Sequence, residues 1–264
     1  SDGDLAPLFE GSENAQCLVA FPLISQSGVL GLMAAACAGR HDLDTEERSL
    51  LKAFGTDLAT AIESIHKGDN LRQTFLSTIR AFSQAIDAKD AHAHGHSDKV
   101  VAIAVTIAEQ MQLGDDVIKG IREAGYLHDI GKLGASESIF GKAGPLTEEE
   151  MMTVREHPGL SHQLLEGAQI SPEIMEMIRH HHERFDGNGY PDELKGGEIP
   201  LGARILCVAD AFEAMTSERS YRPPISKEEA VNELKRWSGT QFDPKVVEAF
   251  IEVKEKLTEE SGEV

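Results

Sequence analysis

The chain has 264 residues, of which 41% are hydrophobic and 27% are charged, a composition typical of a globular protein rather than a disordered or fibrous one. Its formal net charge of −20 makes a nucleic acid polymer or an anionic membrane surface an unfavourable partner. No apolar stretch approaches the roughly 20 residues of a membrane-spanning helix, and we find no export signal. Because the three cysteines also lack a paired spacing, we expect a cytoplasmic protein with reduced thiols.

Two apolar runs near the start of the chain predict a β-hairpin. They cover residues 17–24 and 29–37, and the turn-like sequence Ser25-Gln26-Ser27-Gly28 separates them. After Arg40, hydrophobic residues recur at alternating steps of three and four, with an interruption near Gly68 and Arg72. This pattern predicts helix and fits equally a helix packed on its own domain or a dimerising or signal-carrying linker helix.

From Asp90 onward the sequence predicts helices almost throughout. The candidate N-caps are Asp115, Thr147, Ser171, Ser226 and Asp243, and the candidate helix stops are Gly114 and Gly239. The exception is the stretch 184–200, which is rich in glycine and proline. A loop of that length inside a compact helical domain is usually either functional or disordered.

Histidine and aspartate side chains in the helical part form a pattern typical of metal ligands. They are His92 and His96, His128-Asp129 in "HDIGK", His157 before Pro158, His181-His182 in "HHERFDGNGYP", and Asp210 at the end of "RILCVAD". Asp129 and Asp210 follow apolar runs that should be buried, and a buried carboxylate is unfavourable unless it is paired or binds a metal. Imidazole and carboxylate without thiolate suit iron or manganese better than zinc.

The order and spacing of these motifs resemble the HD-GYP family of cyclic dinucleotide phosphodiesterases. The resemblance covers about residues 76–257 and rests on "HDIGK", His157-Pro158, "HHExxDGxGYP" and "VAD". It implies a mainly α fold, in which an HD-type helical bundle of the metal phosphohydrolases holds two or three divalent metal ions. It also implies hydrolysis of cyclic di-GMP to linear pGpG, and in many members on to GMP, by a hydroxide that bridges two metals.

The resemblance assigns roles to individual residues. Asp129 would bridge two metals, and the terminal ligands would be His96, His128 and Asp210 for one metal and His157, His181 and His182 for the other. Lys132, Arg219 and Arg222 match phosphate-binding positions, with Lys132 also a catalytic candidate, and the glycine-rich loop would present Tyr190 to the substrate. His92, four residues before His96 and expected on the same helix face, stands where three-metal members carry a carboxylate, which makes it a candidate ligand for a third metal.

Two positions depart from the family pattern, and a few histidines have no assigned role. Glu213 in "FEAM" stands where the family usually has aspartate, and Ser161 stands where it usually has glycine. We treat His94, His162 and His180 as surface or supporting residues.

The N-terminal part resembles the second half of a GAF sensor domain. We therefore predict a partial α+β GAF-like segment over residues 1–67, a long linker helix over 68–90 and the HD-GYP domain over 91–264. A homodimer through the linker helix, with the sensor segment regulating the enzyme, is the expected organisation. The alternatives are a catalytically weak HD-GYP module that binds cyclic dinucleotides or proteins, and another nucleotide phosphohydrolase of the HD superfamily.

Overall fold

The computed structural model describes residues 17–37, 44–88, 95–134, 139, 142, 144, 146–218 and 223–260. The chain divides into two compact units, residues 1–75 and 76–264, and each is described by itself. In the described residues no helix is both long enough and apolar enough to cross a membrane.

The first unit contains the predicted hairpin. Strand β1 (Cys17–Ser25) pairs antiparallel with β2 (Gly28–Cys37), in a register that sets Phe21 opposite Met33. Gly28, which ends the tight turn, has a φ of 127°, a conformation that side chains disfavour. The hairpin prediction is therefore confirmed.

Helix α1 (Thr45–Asp87) begins in the first unit and continues into the second. At its start, Asp44 and Glu47 each accept a hydrogen bond from the other's backbone N–H, at 2.8 and 2.9 Å. The helix is continuous through Gly68 and Arg72, where the hydrophobic pattern is interrupted. Single glycines in a helix cost only about 1 kcal/mol, so 43 residues of otherwise favourable sequence outweigh this interruption.

The second unit is a bundle of helices, so the mainly α fold class is confirmed. After α1 the helices are α2 (His96–Gln110), α3 (Asp115–Leu127), α4 (Glu148–Arg155), α5 (His157–Leu165), α6 (Pro172–Arg179), α7 (Leu201–Thr216), α8 (Lys227–Arg236) and α9 (Pro244–Glu260). Two short 3₁₀ helices cover Ile130–Gly134 and Gly196–Glu198. Helix α2 packs against α3, α7 and α9 around fully buried side chains such as Ile107, Ile121 and Phe250.

Most of the predicted helix starts are confirmed. Thr147 and Ser226 form complete capping boxes, and the Ser171 side chain accepts from the backbone N–H of Ile174. The prediction at α3 is wrong by one residue, because Gly114 is the N-cap and Asp115 is the first helical residue. Asp115 still favours the helix there, since a negative charge in the first turn complements the helix dipole.

The start of α2 corrects one expectation about the site. The helix begins at His96, and the preceding Gly95 has a left-handed φ of 69°. The expectation that His92 and His96 share one helix face is therefore wrong, because the turn that would carry His92 precedes the helix. His92 itself lies outside the described residues.

Candidate metal centre

The predicted ligands that the structure describes come together from five places in the second unit. They are His96 at the start of α2, His128 and Asp129 directly after α3, His157 at the start of α5, His181 and His182 directly after α6, and Asp210 within α7. Five of them are buried, and the exposed fraction of the Asp210 side chain is 21%. All of these residues except Asp210 lie at or near the end of a helix, and the ends of several helices meet inside the bundle. Segments that are distant in sequence are thereby brought together.

Asp129 lies at the middle of this group. Its Oδ2 is 3.4 Å from His128 Nε2 and 3.6 Å from His96 Nε2, and its Oδ1 is 3.2 Å from His157 Nε2. The two oxygens of one carboxylate therefore face different sets of imidazoles. A carboxylate that is shared between two metal ions would need this arrangement.

The rest of the centre has two sides of different character. On one side, which we call the carboxylate side, His96 Nε2 is 3.5 Å from Asp210 Oδ1, and His96 Nδ1 is 2.6 Å from Glu213 Oε2. On the other side, the imidazole side, His157 Nε2 is 3.3 Å from His181 Nε2. The ring of His182 lies against both, with centroids 4.1 Å from His181 and 5.0 Å from His157.

Backbone carbonyls fix the orientation of three of the rings. The Nδ1 atoms of His128, His157 and His181 each lie 2.7 Å from the carbonyl oxygen three residues earlier, those of Gly125, Val154 and Ile178. Because a carbonyl only accepts, each Nδ1 must carry a proton, and in the neutral ring the lone pair of Nε2 is then directed at the centre. Glu213 orients His96 in the same manner through its Nδ1.

The electrostatics of the two sides are opposite. Burial, together with the neighbouring histidines, holds the pKa of His181 well below its usual value and lowers that of His182 to about 3. Burial also acts to lower the pKa of His96, but its hydrogen bonds to Asp129 and Glu213 outweigh burial and raise the pKa to about 10. Although burial favours the neutral acid, His128 and Lys132 hold the pKa of Asp129 well below its usual range. The ionised Asp129 carboxylate thus lies between a protonated His96 on the carboxylate side and the neutral rings of His181 and His182 on the imidazole side.

The donor set fits divalent metal ions. His128 Nε2 is buried and has no hydrogen-bond partner among the described residues. The Nε2 atoms of His157 and His181 lie 3.3 Å apart, and in the neutral rings they face each other as two acceptors, an arrangement that a metal ion between them would stabilise. Two groups have ligand atoms within 4.8 Å of one another, namely His96, His128 and Asp129, and His157, His181 and His182.

Two predicted substrate-site residues border the centre. Lys132 Nζ donates to Asp129 Oδ2 at 2.5 Å. The ring of Tyr190 stacks on His182 with centroids 5.0 Å apart, and the guanidinium of Arg155 lies 5.8 Å from the Tyr190 ring centre. Burial raises the pKa of Tyr190, and the carboxylates of Asp210 and Asp129 raise it further, so its hydroxyl is neutral. Arg219 and Arg222, the predicted phosphate-binding arginines, lie outside the described residues.

The loop that carries Tyr190 depends on its glycines for two different reasons. Gly187 has a φ of 84°, in the left-handed region that favours glycine. Gly189 instead has no room for a side chain, because a Cβ there would lie 2.3 Å from the backbone nitrogen of Arg184.

Glu213 and Ser161 make contacts around the centre that the sequence does not reveal, since there they are only departures from the family pattern. The Ser161 hydroxyl is fully buried, accepts from the Gly131 N–H and donates to the His128 carbonyl, both at 2.8 Å. It therefore ties the His128-Asp129 segment to α5. Helical spacing was the available signal, since Ser161 follows His157 by four residues and Glu213 follows Asp210 by three.

Comparison with known proteins agrees with this fold. The HD domain family model matches residues 80–246, and the chain belongs to that family. It is 36% identical over 189 residues to the cyclic di-GMP phosphodiesterase response regulator RpfG of Xanthomonas campestris, covering 70% of this chain and 50% of the relative. It is 38% identical over 174 residues to a cyclic di-GMP phosphodiesterase of Thermotoga maritima, covering 65% and 47%.

A third relative is named for another substrate. The chain is 30% identical over 214 residues to the 3'3'-cGAMP-specific phosphodiesterase 2 of Vibrio cholerae, covering 80% of this chain and 41% of the relative. The chain therefore spans about half the length, or less, of these curated relatives.

Two solved structures share the fold. A cyclic GMP-AMP specific phosphodiesterase of Vibrio cholerae superposes with a TM-score of 0.53 at 22% identity, covering 68% of this chain and 48% of that one. The protein Bd1817 of Bdellovibrio bacteriovorus has a TM-score of 0.53 at 16% identity, covering 74% and 64%. At these identities the likeness extends to the fold alone.

Proposed function

We propose that the chain is a metal-dependent phosphodiesterase that hydrolyses a cyclic dinucleotide, with cyclic di-GMP as the first candidate and linear pGpG as the product. The observation that carries the proposal is the buried ring of imidazoles around Asp129, with the Nε2 lone pairs of His128, His157 and His181 turned inward. The names of the relatives support the substrate class.

Two divalent ions, iron or manganese, would occupy the centre. His96, His128 and Asp210 would hold one, His157, His181 and His182 the other, and Asp129 would serve both; its contacts of 3.2 to 3.6 Å on both sides support this assignment. When bound, such a pair lowers the pKa of a water and neutralises negative charge on a phosphate. His92 would be a ligand for a third ion.

The chain's own side chains would position and neutralise the substrate. Lys132 has an exposed fraction of 23%, so its ammonium group can pair with a phosphate oxygen as well as with Asp129. The neutral hydroxyl of Tyr190 can donate a hydrogen bond, and its stacking on His182 fixes where it points. Arg219 and Arg222 would bind the phosphates, and they would supply local positive charge in a strongly acidic chain.

A turnover assay tests the proposal. Purified protein loaded with Mn²⁺ or Fe²⁺ is incubated with cyclic di-GMP, 3'3'-cGAMP and linear pGpG, and the products are separated by chromatography. We expect hydrolysis of at least one cyclic dinucleotide, and none by Asp129→Asn. The cGAMP arm is included because a relative is named for that substrate. A protein that binds two ions yet cleaves none of these compounds would instead support a binding module.

We further propose that the chain forms a homodimer through α1 and that a GAF-like segment regulates it. Large apolar side chains of α1 support the dimer, since Phe54, Ile65 and Phe82 are 57%, 63% and 59% exposed. The proposed boundaries remain 1–67, 68–90 and 91–264. Light scattering on the wild type and on Phe82→Glu tests the dimer, which the charged side chain should dissociate.

A further inference from the structure

A second cluster of metal-ligating side chains lies next to the histidine pair but outside the centre. His180, Glu183 and Asp192 each offer one ligand atom, and these atoms lie within 4.8 Å of one another. His180 and Glu183 are only 4% and 2% exposed. The proposed reaction uses none of the three.

The tautomer of His180 makes this cluster unusual. His180 Nε2 lies 3.0 Å from Glu176 Oε2, and since a carboxylate only accepts, Nε2 must carry a proton there. In the neutral ring the opposite nitrogen, Nδ1, then directs its lone pair towards Glu183 Oε1 and Asp192 Oδ2, at 3.8 and 3.6 Å. Three acceptor atoms then lie close together. Glu183 Oε1 accepts from the Asp192 backbone N–H and Asp192 Oδ2 accepts from Arg179, whereas within the described part of the chain His180 Nδ1 has no donor.

Two of the buried atoms lack any partner. Neither His180 Nδ1 nor Glu183 Oε2 has a hydrogen-bond partner among the described residues. Buried polar atoms are almost always paired, so two unpaired atoms on neighbouring buried side chains are unfavourable. The pattern indicates that a cation belongs at this position.

The spacing fits a transition metal. With metal–ligand bonds of about 2.1 Å, neighbouring ligand atoms in a tetrahedral or octahedral site lie about 3.0 to 3.4 Å apart. The two observed spacings are longer by only a few tenths of an ångström, a difference that side-chain rotation would close. Glu176 would act as the carboxylate that orients a metal-binding histidine through its other nitrogen.

We propose that His180 Nδ1, Glu183 and Asp192 bind one divalent transition metal ion, separate from the pair around Asp129. One nitrogen and two oxygen donors suit Zn²⁺ or Mn²⁺, and Zn²⁺ accepts three protein ligands with water as the fourth. Arg179 holds the Asp192 carboxylate at 2.7 and 2.9 Å, using one lone pair on each oxygen and leaving the others for the ion.

An ion at this place would clamp the loop that carries Tyr190. Glu183 and Asp192 stand at the two ends of that loop, and the Asp192 N–H already donates to Glu183 Oε1 at 2.7 Å. Closing the same two residues around an ion would hold Tyr190 against His182. The role is structural and does not depend on the proposed reaction.

Metal analysis of His180→Gln tests the site in two backgrounds, wild type and Asp129→Asn. Each protein is dialysed against Zn²⁺, and bound metal is measured by mass spectrometry. His66→Gln is the matched control, because His66 is an exposed histidine of α1. We expect His180→Gln to bind one ion fewer per chain than its parent in both backgrounds, and His66→Gln to bind as many as its parent.

The two backgrounds separate this proposal from the proposed function. Asp129→Asn is expected to have lost the pair already. An ion that His180→Gln loses in that background therefore comes from another site. Equal metal content in His180→Gln and its parent would overturn the proposal, and a proton on Nδ1 would then take the place of the ion. Should His180→Gln fail to fold, Asp192→Asn is measured in the same way, since the Asp192 side chain is 38% exposed and the change conserves its size.

Discussion

The carboxylate side and the imidazole side of the centre use the same ligand, histidine, in opposite electrostatic settings. The carboxylates of Asp129 and Glu213 outweigh burial and raise the pKa of His96 to about 10, whereas burial and neighbouring histidines lower that of His182 to about 3. The neighbours of each ring therefore decide its charge, and Asp129 is the carboxylate that contacts both sides. The imidazole side consequently depends on Asp129 for negative charge, while the carboxylate side also has Asp210 and Glu213.

Removing the shared carboxylate should have the largest effect. We expect Asp129→Asn to lose both ions of the pair and to lower turnover by at least about 10³-fold, because one change removes a ligand and the compensating charge from both sides. Metal analysis, turnover and circular dichroism measure the three consequences. Full metal content with near-normal turnover in a folded variant would refute the shared role.

The backbone just after Asp129 also packs closely against helix α5, and Gly131 lies at the point of contact. A Cβ there would lie 2.0 Å from the His157 carbonyl oxygen and 2.6 Å from the Ser161 backbone nitrogen, so α5 would have to shift. We expect Gly131→Ala to lower the free energy of unfolding by about 3 kcal/mol in urea titrations.

Gly68→Ala is the matched control for this prediction. Gly68 lies within α1 and has nothing within 4 Å of its added Cβ, so alanine there should stabilise the helix slightly, by about 0.5 to 1 kcal/mol. Equal stability of Gly131→Ala and the wild type would mean that the close approach of α5 is not required.

Glu213→Gln should affect the carboxylate side alone. Glutamine can still reach His96 Nδ1 but brings no charge, so we expect about 10- to 100-fold weaker binding of the ion on this side. Glu213→Asp, which restores the charge, should recover part of the loss. Calorimetric titration with Mn²⁺ would separate the two ions, and equal weakening of both would contradict the division into sides.

Ser161→Ala should have the smallest effect of the four. Its hydroxyl bonds the Gly131 N–H and the His128 carbonyl in a fully buried position, and alanine leaves both without that partner. We expect a loss of about 1 to 2 kcal/mol in the free energy of unfolding, with metal content unchanged. A variant as stable as the wild type would show that the hydroxyl does not tie the two segments together.

Much of the fold could be predicted because its signals are local. The hairpin has alternating apolar runs around a glycine turn, and Thr147 and Ser226 begin helices by capping boxes that are visible in the sequence. The start of α2 could not be predicted equally well. The expectation that His92 and His96 share a face assumed an earlier helix start than the left-handed Gly95 allows.

The identities of the central residues were predicted from motif order, but their supporting contacts were not. The inward Nε2 lone pairs depend on carbonyls three residues earlier, and the orientation of His96 depends on Glu213, which is 117 positions away in sequence. His180 illustrates the same limit, because only the folded chain sets its Nδ1 beside Glu183 and Asp192. Contacts between distant segments require the packing of helices that the local pattern does not specify.

The most direct test of the account is a titration of metal-free protein with Mn²⁺, in which bound ions and hydrolysis of cyclic di-GMP and 3'3'-cGAMP are followed together. We expect turnover to appear only as the second ion of the pair around Asp129 binds, and Asp129→Asn to show none at any Mn²⁺ concentration. Full turnover with a single bound ion, or no turnover of either compound when the pair is filled, would contradict it.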